Sequence, residues 1–327
     1  MLGYIARRIL LMIPTIIGIS LVSFMIIQLP PGDFLTSQIA AAAQQGETID
    51  EAEVARLEAR YGLDKPIHLQ YASWVGGMLR GDFGWSFEWN RPVSELVWQR
   101  LGLTFLLSLG TLVFVWLISF PLGIFSAVRQ YSWGDYLTAF FGFIGLATPD
   151  FLLALLLLYV SFAYFNQSVG GLFSPEFIQA PWSGAKVWDL MKHIWIPMLI
   201  LGTNGIAGLT RIMRANLLDE LRKPYVTTAR AKGLPEHKLL VKYPVRIAAN
   251  PFISTSGAIL PALVSGEIIV ATILGLPTVG PLLLRSLQAQ DMYLAGTIIM
   301  MTSVLTVVGT LLSDLLLAWF DPRIRYQ

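Results

Sequence analysis

Six long apolar runs, separated by stretches that carry charge, dominate this chain. A helix of about 20 apolar residues crosses the hydrocarbon core of a bilayer, and each run approaches or exceeds that length. The runs are Ile9–Leu29, Leu101–Val128, Tyr136–Phe165, Ile194–Thr210, Ala248–Leu276 and Met292–Phe320. The pattern predicts an all-α integral membrane protein with six transmembrane helices and both termini on one side.

Composition supports lipid as the main solvent of the chain. Of the 327 residues, 55% are hydrophobic and only 13% are charged, whereas about a quarter are charged in a typical soluble domain. The absence of cysteine excludes disulfides and thiolate metal sites. The net charge of +2 is too small to indicate a nucleic-acid partner.

The positions of Lys and Arg predict the orientation, because these residues accumulate in cytoplasmic loops. With the amino terminus inside, fourteen of the 23 basic residues fall in the shorter inner segments. They are Arg7, Arg8, Arg129, Arg211, Arg214, Arg222, Lys223, Arg230, Lys232, Lys238, Lys242, Arg246, Arg323 and Arg325. The first run is too long for the core of a signal peptide, so we expect a retained span. Both termini are therefore predicted to be cytoplasmic.

The spans divide the chain into a first helix, an external loop, a five-helix core and a short tail. These segments are 1–30, 31–100, 101–320 and 321–327, with a cytoplasmic loop at 211–250 inside the core. In the external loop, Thr48–Glu51 is similar to a capping box that opens a helix ending near Gly62. Its carboxylates indicate a solvated face, with a cation site as the alternative. A second short helix is predicted from Pro66 to Gly81.

The cytoplasmic loop contains a helix, a sharp break and a second helix. Pro224 suits a first helical turn, and Tyr225–Lys232 has the length of two turns. Gly233 suits a left-handed stop, and Pro235 prevents the helix from continuing. A short helix held between two spans would work as a lever that passes a partner's movement to the membrane. The alternative is a basic loop that only obeys the charge rule for cytoplasmic segments.

Several motifs resemble the permeases of one class of ATP-driven importers. Tyr225–Leu234 is similar at nearly every position to the cytoplasmic "EAA" loop of ABC importer permeases, in the form of the dipeptide/oligopeptide/nickel branch. Further similarities are Arg7-Arg8 through Asp33, Tyr61–Pro66, Gly81–Gly84 and Phe320–Arg325. Together they extend over essentially the whole chain.

The resemblance implies a type I ABC importer permease fold and a multi-pass location in the cytoplasmic (inner) membrane of a bacterium or archaeon. It implies a second permease subunit, two ATPase subunits that hold ATP and Mg²⁺, and an external solute-binding protein; this chain itself would hold no cofactor. Peptides are the commonest cargo of the branch, with nickel chelates, opines and oligosaccharides as alternatives. The implied contacts with the ATPases are Tyr225, Thr227, Thr228, Ala229, Arg230, Ala231, Lys232, Gly233, Leu234 and Glu236.

Two acids inside apolar runs are candidates for the translocation pathway. Asp150 follows Pro149 in the third run, which Pro149 could bend, and Glu267 lies in the fifth. Ionisable groups at membrane depth usually face a cavity or another helix, because exposure to lipid is costly. A carboxylate in the pathway would favour the ammonium end of a peptide. The alternative is an interhelical hydrogen bond, the role expected for Asp314.

Other function classes lack their sequence signals. The chain has no Gly-Lys dipeptide and therefore no phosphate-binding Walker A loop. Its three histidines, His68, His193 and His237, are too far apart in sequence to form a metal-spaced pair, and none falls inside a span. A secondary transporter would be expected to show inverted repeats, and an intramembrane hydrolase would need a Ser–His or paired-Asp constellation. A transport subunit driven by partner ATPases fits the sequence better than either.

Overall fold

The computed structural model describes residues 2–28, 65–165 and 170–320. The helices in these ranges are α1 (Leu2–Gln28), α2 (Ile67–Leu79), α3 (Val93–Val128), α4 (Trp133–Ala147), α5 (Asp150–Phe165), α6 (Gly184–Leu221), α7 (Pro224–Ala231), α8 (Glu236–Lys242), α9 (Pro244–Ile273), α10 (Val279–Gln288) and α11 (Met292–Phe320). Two short strands, β1 (Trp85–Ser86) and β2 (Arg91–Pro92), pair antiparallel. The predicted helix at 48–62, the motif residues 29–33 and 61–64, and the tail at 321–327 lie outside the described residues.

Several long helices match the apolar runs of the sequence. Among the described residues, four helical segments are long and apolar enough to cross a membrane: Arg7–Met25, Val93–Val128, Gly184–Leu221 and Met292–Leu311. The bent pair α4–α5 makes five if it counts as one span. The fifth run, Ala248–Leu276, overlaps α9, a helix of 30 residues that begins at Pro244 and ends at Ile273. The chain is therefore a multi-pass helical membrane protein.

The third run is not one continuous helix, in contrast to the single span predicted over Tyr136–Phe165. Helices α4 and α5 meet at an angle of 102°. Proline has no N–H to continue the ladder and forces the preceding residue out of the helical region. Thr148 accordingly has an extended backbone (φ −91°, ψ 118°), and the carbonyl of Pro149 accepts hydrogen bonds from Leu152 and Leu153 at the start of α5. Pro149 thus produces a much larger bend than the run of apolar residues suggests.

The fourth run marks only part of its helix. The sequence predicted a span at Ile194–Thr210, whereas α6 has 38 residues. The Ser183 hydroxyl accepts a hydrogen bond from the Lys186 N–H at 3.3 Å and caps the helix well before the apolar run. Hydropathy reports the membrane-embedded part of a helix, and polar residues extend α6 beyond it at both ends.

The segment after α9, Pro277–Pro281, leads directly into the next helix. Thr278 is extended and precedes α10, so Pro281 lies in the first turn of that helix. A proline is tolerated there because the first N–H groups of a helix have no intrahelical partner. The predicted helix from Pro66 to Gly81 is confirmed as α2.

The described residues form two compact units, each with its own core. One unit comprises Thr104–Pro277 and the chain from Val308 onwards, and the other comprises Leu2–Leu103 and Thr278–Val307. The core of the first unit contains Val115, Leu209, Met213, Leu217, Val245 and Phe252. That of the second unit contains Val93, Val97, Leu282, Leu294 and Ile298. In the first unit, large side chains also point outward, as expected for helices in lipid: Leu117 is 70% exposed and Phe162 is 72% exposed.

A buried carboxylate organises the second unit. Asp291 is fully buried, and its Oδ2 accepts hydrogen bonds from the Ser86 hydroxyl at 2.5 Å and from the Glu88 N–H at 3.2 Å. Its Oδ1 accepts from the Leu294 N–H at 3.1 Å and caps the first turn of α11. The β1–β2 ribbon is thereby fixed to the beginning of a membrane helix.

Candidate coupling site

The segment between α6 and α9 has the geometry that its turn residues predict. Pro224 occupies the first turn of α7, which ends at Ala231. Gly233 has φ +79°, a left-handed conformation that costs a residue with a side chain about 1–2 kcal/mol. The Gly233 and Leu234 N–H groups bond back to the carbonyls of Arg230 and Ala229 at 2.9 and 3.3 Å. The chain then turns into α8, so a helix, a break and a second helix form one compact coupling segment (residues 222–243).

The coupling segment has one side buried against the protein and one solvent-exposed, open side. Val226 of α7 and Leu239 of α8 are fully buried and hold the two helices to the body of the first unit. Most of the residues proposed to contact ATPases lie on the open side. Thr227, Thr228, Arg230, Ala231, Lys232, Gly233 and Glu236 are exposed, whereas Tyr225, Ala229 and Leu234 are half-buried.

An aromatic residue ties the coupling segment to the long helices on either side. The Tyr225 hydroxyl donates a hydrogen bond to Glu220 Oε2, near the end of α6, at 2.5 Å. The Tyr225 ring lies 6.4 Å from the ring of Tyr243, which directly precedes α9. Burial and the neighbouring Glu220 carboxylate both raise the pKa of Tyr225, so the hydroxyl remains a donor. Tyr225 thus connects α7 both to the last turn of α6 and to the residue that precedes α9.

An ion pair closes the break within the coupling segment. The Arg230 guanidinium donates to Glu236, and its Nη2 lies 3.4 Å from Glu236 Oε2. This hydrogen bond from Arg230 lowers the pKa of Glu236. Both side chains are about half exposed, so the pair adds little to the stability of the fold. The pair spans the break at Gly233 and links α7 to the first residue of α8.

The two candidate pathway acids have different surroundings. Asp150 is half-buried at the first position of α5, and its Oδ1 accepts a hydrogen bond from Asn204 of α6 at 2.7 Å. Pro149 is exposed beside it. Glu267 of α9 is 1% exposed and therefore sits inside the protein rather than in lipid. The contact between Asp150 and Asn204 is of the interhelical kind that the sequence left open as the alternative.

Sequence reasoning missed an ion pair near the coupling segment. Arg214 of α6 donates to Asp135 of α4 through Nε at 2.8 Å and through Nη2 at 2.7 Å. The sequence identifies Arg214 only as one of the inner basic residues and indicates no partner for Asp135. The local signal at Asp135 is the capping sequence Ser132-x-x-Asp135, in which the Ser132 hydroxyl accepts from the Asp135 N–H. That signal identifies a helix start and says nothing about a partner 79 residues away.

Comparison with known proteins assigns the chain to a family of transport proteins. The model of the family "Binding-protein-dependent transport system inner membrane component" matches residues 119–326, and the model of the N-terminal part of such membrane components matches residues 1–109. The oligopeptide transport system permease protein AppB of Bacillus subtilis is 37% identical over 330 residues, which cover 100% of both chains.

Two further relatives also match along their whole length. The dipeptide transport system permease protein DppB of Alkalihalophilus pseudofirmus is 32% identical over 343 residues, and the glutathione transport system permease protein GsiC of Salmonella typhimurium is 30% identical over 327 residues. Each alignment covers 100% of both chains. The chain belongs to the family of inner membrane components of binding-protein-dependent transport systems, and it is a permease subunit.

Proposed function

We propose that this permease subunit forms half of the translocation pathway of an ATP-driven ABC importer for peptides. Its coupling segment, with one side sealed by Val226 and Leu239 and the other exposed, carries this proposal. Two ATPase subunits, which hold ATP and Mg²⁺, bind the exposed side. A second permease subunit completes the pathway, and an external solute-binding protein delivers the cargo. Six spans cross the bacterial or archaeal cytoplasmic membrane with both termini in the cytoplasm.

The geometry supports a lever mechanism. Closure of the ATPases upon binding ATP displaces α7, and Tyr225 passes the displacement to α6 through Glu220 and towards α9 through Tyr243. Helices α6 and α9 pack along each other, so both helices respond together. The pathway alternates between outward-open and inward-open states, and ATP hydrolysis resets it. This chain contributes the moving helices and no chemical step.

The names of relatives support a peptide cargo. Relatives along the whole chain are named as permeases for oligopeptides, dipeptides and glutathione, all of which contain an amino group and peptide bonds. Asp150, next to Pro149, and the buried Glu267 are the carboxylates that we assign to the pathway. Each offers a partner for the ammonium end of a peptide. Nickel chelates, opines and oligosaccharides are the other cargoes to be tested.

The decisive experiment reconstitutes the complete complex in nanodiscs with its binding protein and a labelled oligopeptide. Stimulation of ATP hydrolysis and uptake of the label are expected. Association of ATPases without a response to peptide would keep the importer class and exclude peptide among the candidate cargoes. Failure of any ATPase to associate would overturn the proposal.

A substitution at the break tests the role of the coupling segment. Gly233→Val forces a β-branched residue into a left-handed conformation, at a cost of about 1–2 kcal/mol or more. Peptide uptake per ATP should fall. Gly81→Val is the matched control, because Gly81 has φ +80° with open space around it and lies far from the coupling segment in sequence. Equal uptake by the two variants would refute the lever.

A further inference from the structure

Two polar contacts join α6 to the bent pair α4–α5, one at the beginning of each helix of the pair. Near the beginning of α4, Asp135 receives two parallel hydrogen bonds from Arg214, at 2.8 and 2.7 Å. At the beginning of α5, Asp150 receives a hydrogen bond from Asn204 at 2.7 Å. Asn204 and Arg214 are ten residues apart on α6, about 15 Å along the helix axis. One contact therefore holds the beginning of α4 against α6, and the other holds the beginning of α5 against the same helix.

Close packing fills the space between the two contacts. A Cβ atom on Gly145 of α4 would lie 2.8 Å from the side chain of Thr203, so a larger residue would push the helices apart. In the same interface, a Cβ atom on Gly142 would lie 3.9 Å from the Cβ of Ala207, at ordinary van der Waals contact. Side chains packed at this density transmit a displacement rather than absorb it.

The contact at Asp135 involves a third helix. Asp135 is 3% exposed, and besides Arg214 it accepts hydrogen bonds from the Ser126 hydroxyl of α3 and from the Tyr131 N–H, the latter at 2.9 Å. Gly123 of α3 lies so close to α6 that a Cβ atom would be 2.6 Å from Met213. The end of α3, the beginning of α4 and α6 thus meet at one fully hydrogen-bonded carboxylate. A bidentate pair with a buried carboxylate is strong and directional.

The position of this contact relates it to the coupling segment. Arg214 lies seven residues, about two turns, before the end of α6 at Leu221. Tyr225 anchors the coupling segment to Glu220 in that last turn. A displacement of α7 therefore reaches α6 close to Arg214, and α4 continues from Asp135 to the 102° break before Asp150.

We propose that Arg214 and Asp135 are positioning residues that transmit the movement of the coupling segment to the helix break between α4 and α5. Helices α4 and α6 move as one body, and the Asp135–Arg214 contact is the joint through which α6 moves α4. The break, with Asp150 beside it, is where this movement changes the pathway. This inference rests on the proposed function, because it requires ATPases that act on the coupling segment.

The first test measures transport per ATP in the reconstituted complex. Arg214→Met should retain ATP hydrolysis but lose about tenfold in uptake per ATP, a loss in the range that coupling residues show. Arg211→Met is the matched control, because Arg211 is exposed on the same helix and its replacement removes the same charge. Equal ratios for Arg214→Met and Arg211→Met would overturn the inference.

A conservative variant serves if Arg214→Met does not assemble. Arg214→Lys keeps the charge but lacks the planar fork that donates two parallel hydrogen bonds. A ratio of uptake to ATP below that of the unaltered chain supports transmission through the Asp135–Arg214 contact. A ratio equal to that of the unaltered chain contradicts it. If the unaltered complex does not couple ATP to uptake at all, the proposed function fails instead, so the two failures are distinguishable.

The second test measures a distance in the same complex. Because the chain has no cysteine, spin labels on Leu137→Cys of α4 and Ala215→Cys of α6 report a single distance in a complex assembled with cysteine-free partner subunits. Both positions are exposed. The distance should stay constant between the nucleotide-free and ATP-bound states, and it should become variable when Arg214→Met is added. A nucleotide-dependent change of about one helical turn, 5 Å, in the otherwise unaltered chain would show that α4 and α6 move separately.

Discussion

Removing one hydroxyl group tests whether the coupling segment acts through its anchor on α6. Tyr225→Phe deletes the donor that lies 2.5 Å from Glu220 Oε2. The aromatic ring remains, so its contact with Tyr243 at 6.4 Å is preserved. The substitution therefore separates the hydrogen bond from the packing of the ring.

The expected magnitude follows from the charge and the burial of the two partners. A hydrogen bond to a charged group contributes about 1.5–3 kcal/mol. Tyr225 and Glu220 are both half-buried, so water can replace part of the lost bond and the lower end of the range applies. A loss of about 1.4 kcal/mol corresponds to a factor of ten in an equilibrium. One arrangement has α7 held against the end of α6, and the other has α7 released from it. We therefore expect the ratio of the held to the released arrangement to fall about tenfold.

The assay compares uptake per ATP in reconstituted complexes. Tyr225→Phe should hydrolyse ATP but take up less peptide for each ATP consumed. Tyr243→Phe is the control, since it removes a hydroxyl from the other ring of the same pair and leaves the bond to Glu220 in place. The double variant Tyr225→Phe/Glu220→Met should be no worse than the worse single variant, because each change alone deletes the same hydrogen bond.

Two results would refute this reasoning. Uptake per ATP that is unchanged in Tyr225→Phe would show that the hydroxyl has no part in coupling. Losses that simply add in the double variant would show that Tyr225 and Glu220 act independently, even though their side chains are in contact.

Three further predictions concern single carboxylates. Because Arg230 lowers the pKa of Glu236, the ion pair is complete above the ordinary pKa of a glutamate and is lost as the pH falls through the lowered pKa. The difference in uptake between the unaltered chain and Glu236→Gln should therefore disappear over that acidic range. Asp150→Asn keeps a hydrogen-bonding group near Asn204 but removes the charge, so peptide uptake should fall while ATPase association stays normal; unchanged uptake would remove Asp150 from the pathway. Asp291→Ala should lower the free energy of unfolding by about 3 kcal/mol, measured by denaturation in detergent, because it leaves buried donors without an acceptor and removes a helix cap. Ser86→Ala, which removes one of those donors, should cost about 1 kcal/mol, and equal losses in the two variants would contradict the assignment.

The shape of the coupling segment was predictable because it depends on residues close together in sequence. Pro224 starts α7, Gly233 adopts the left-handed conformation that ends it, and the chain turns at Pro235 into α8. Each of these effects acts over a few bonds and needs no tertiary partner. The α2 helix was found for the same reason, since its apolar positions repeat at helical spacing between Pro66 and Gly81.

The membrane helices were predictable in position but not in length or continuity. An apolar run reports the part of a helix that lipid surrounds, and α6 extends beyond Ile194–Thr210 at both ends because a serine cap and polar turns continue it. Pro149 signalled a possible bend, but the 102° angle depends on how α5 packs against α6 and α9. Packing of that kind joins residues far apart in the chain, which hydropathy does not register.

The contacts on which the proposed lever mechanism depends also join residues that are far apart in the sequence. Asp135 meets Arg214 across 79 residues, and Asp150 meets Asn204 across 54. In the sequence alone, the residues of these two pairs look like ordinary charged or polar residues near helix ends. The proposed lever needs a rigid coupling segment and fixed contacts with the membrane helices. Proline and glycine determine the shape of the coupling segment locally. Its contacts with the membrane helices form only after those helices have packed. Substitutions at Arg214 should therefore disturb transport even though the coupling segment itself keeps its shape.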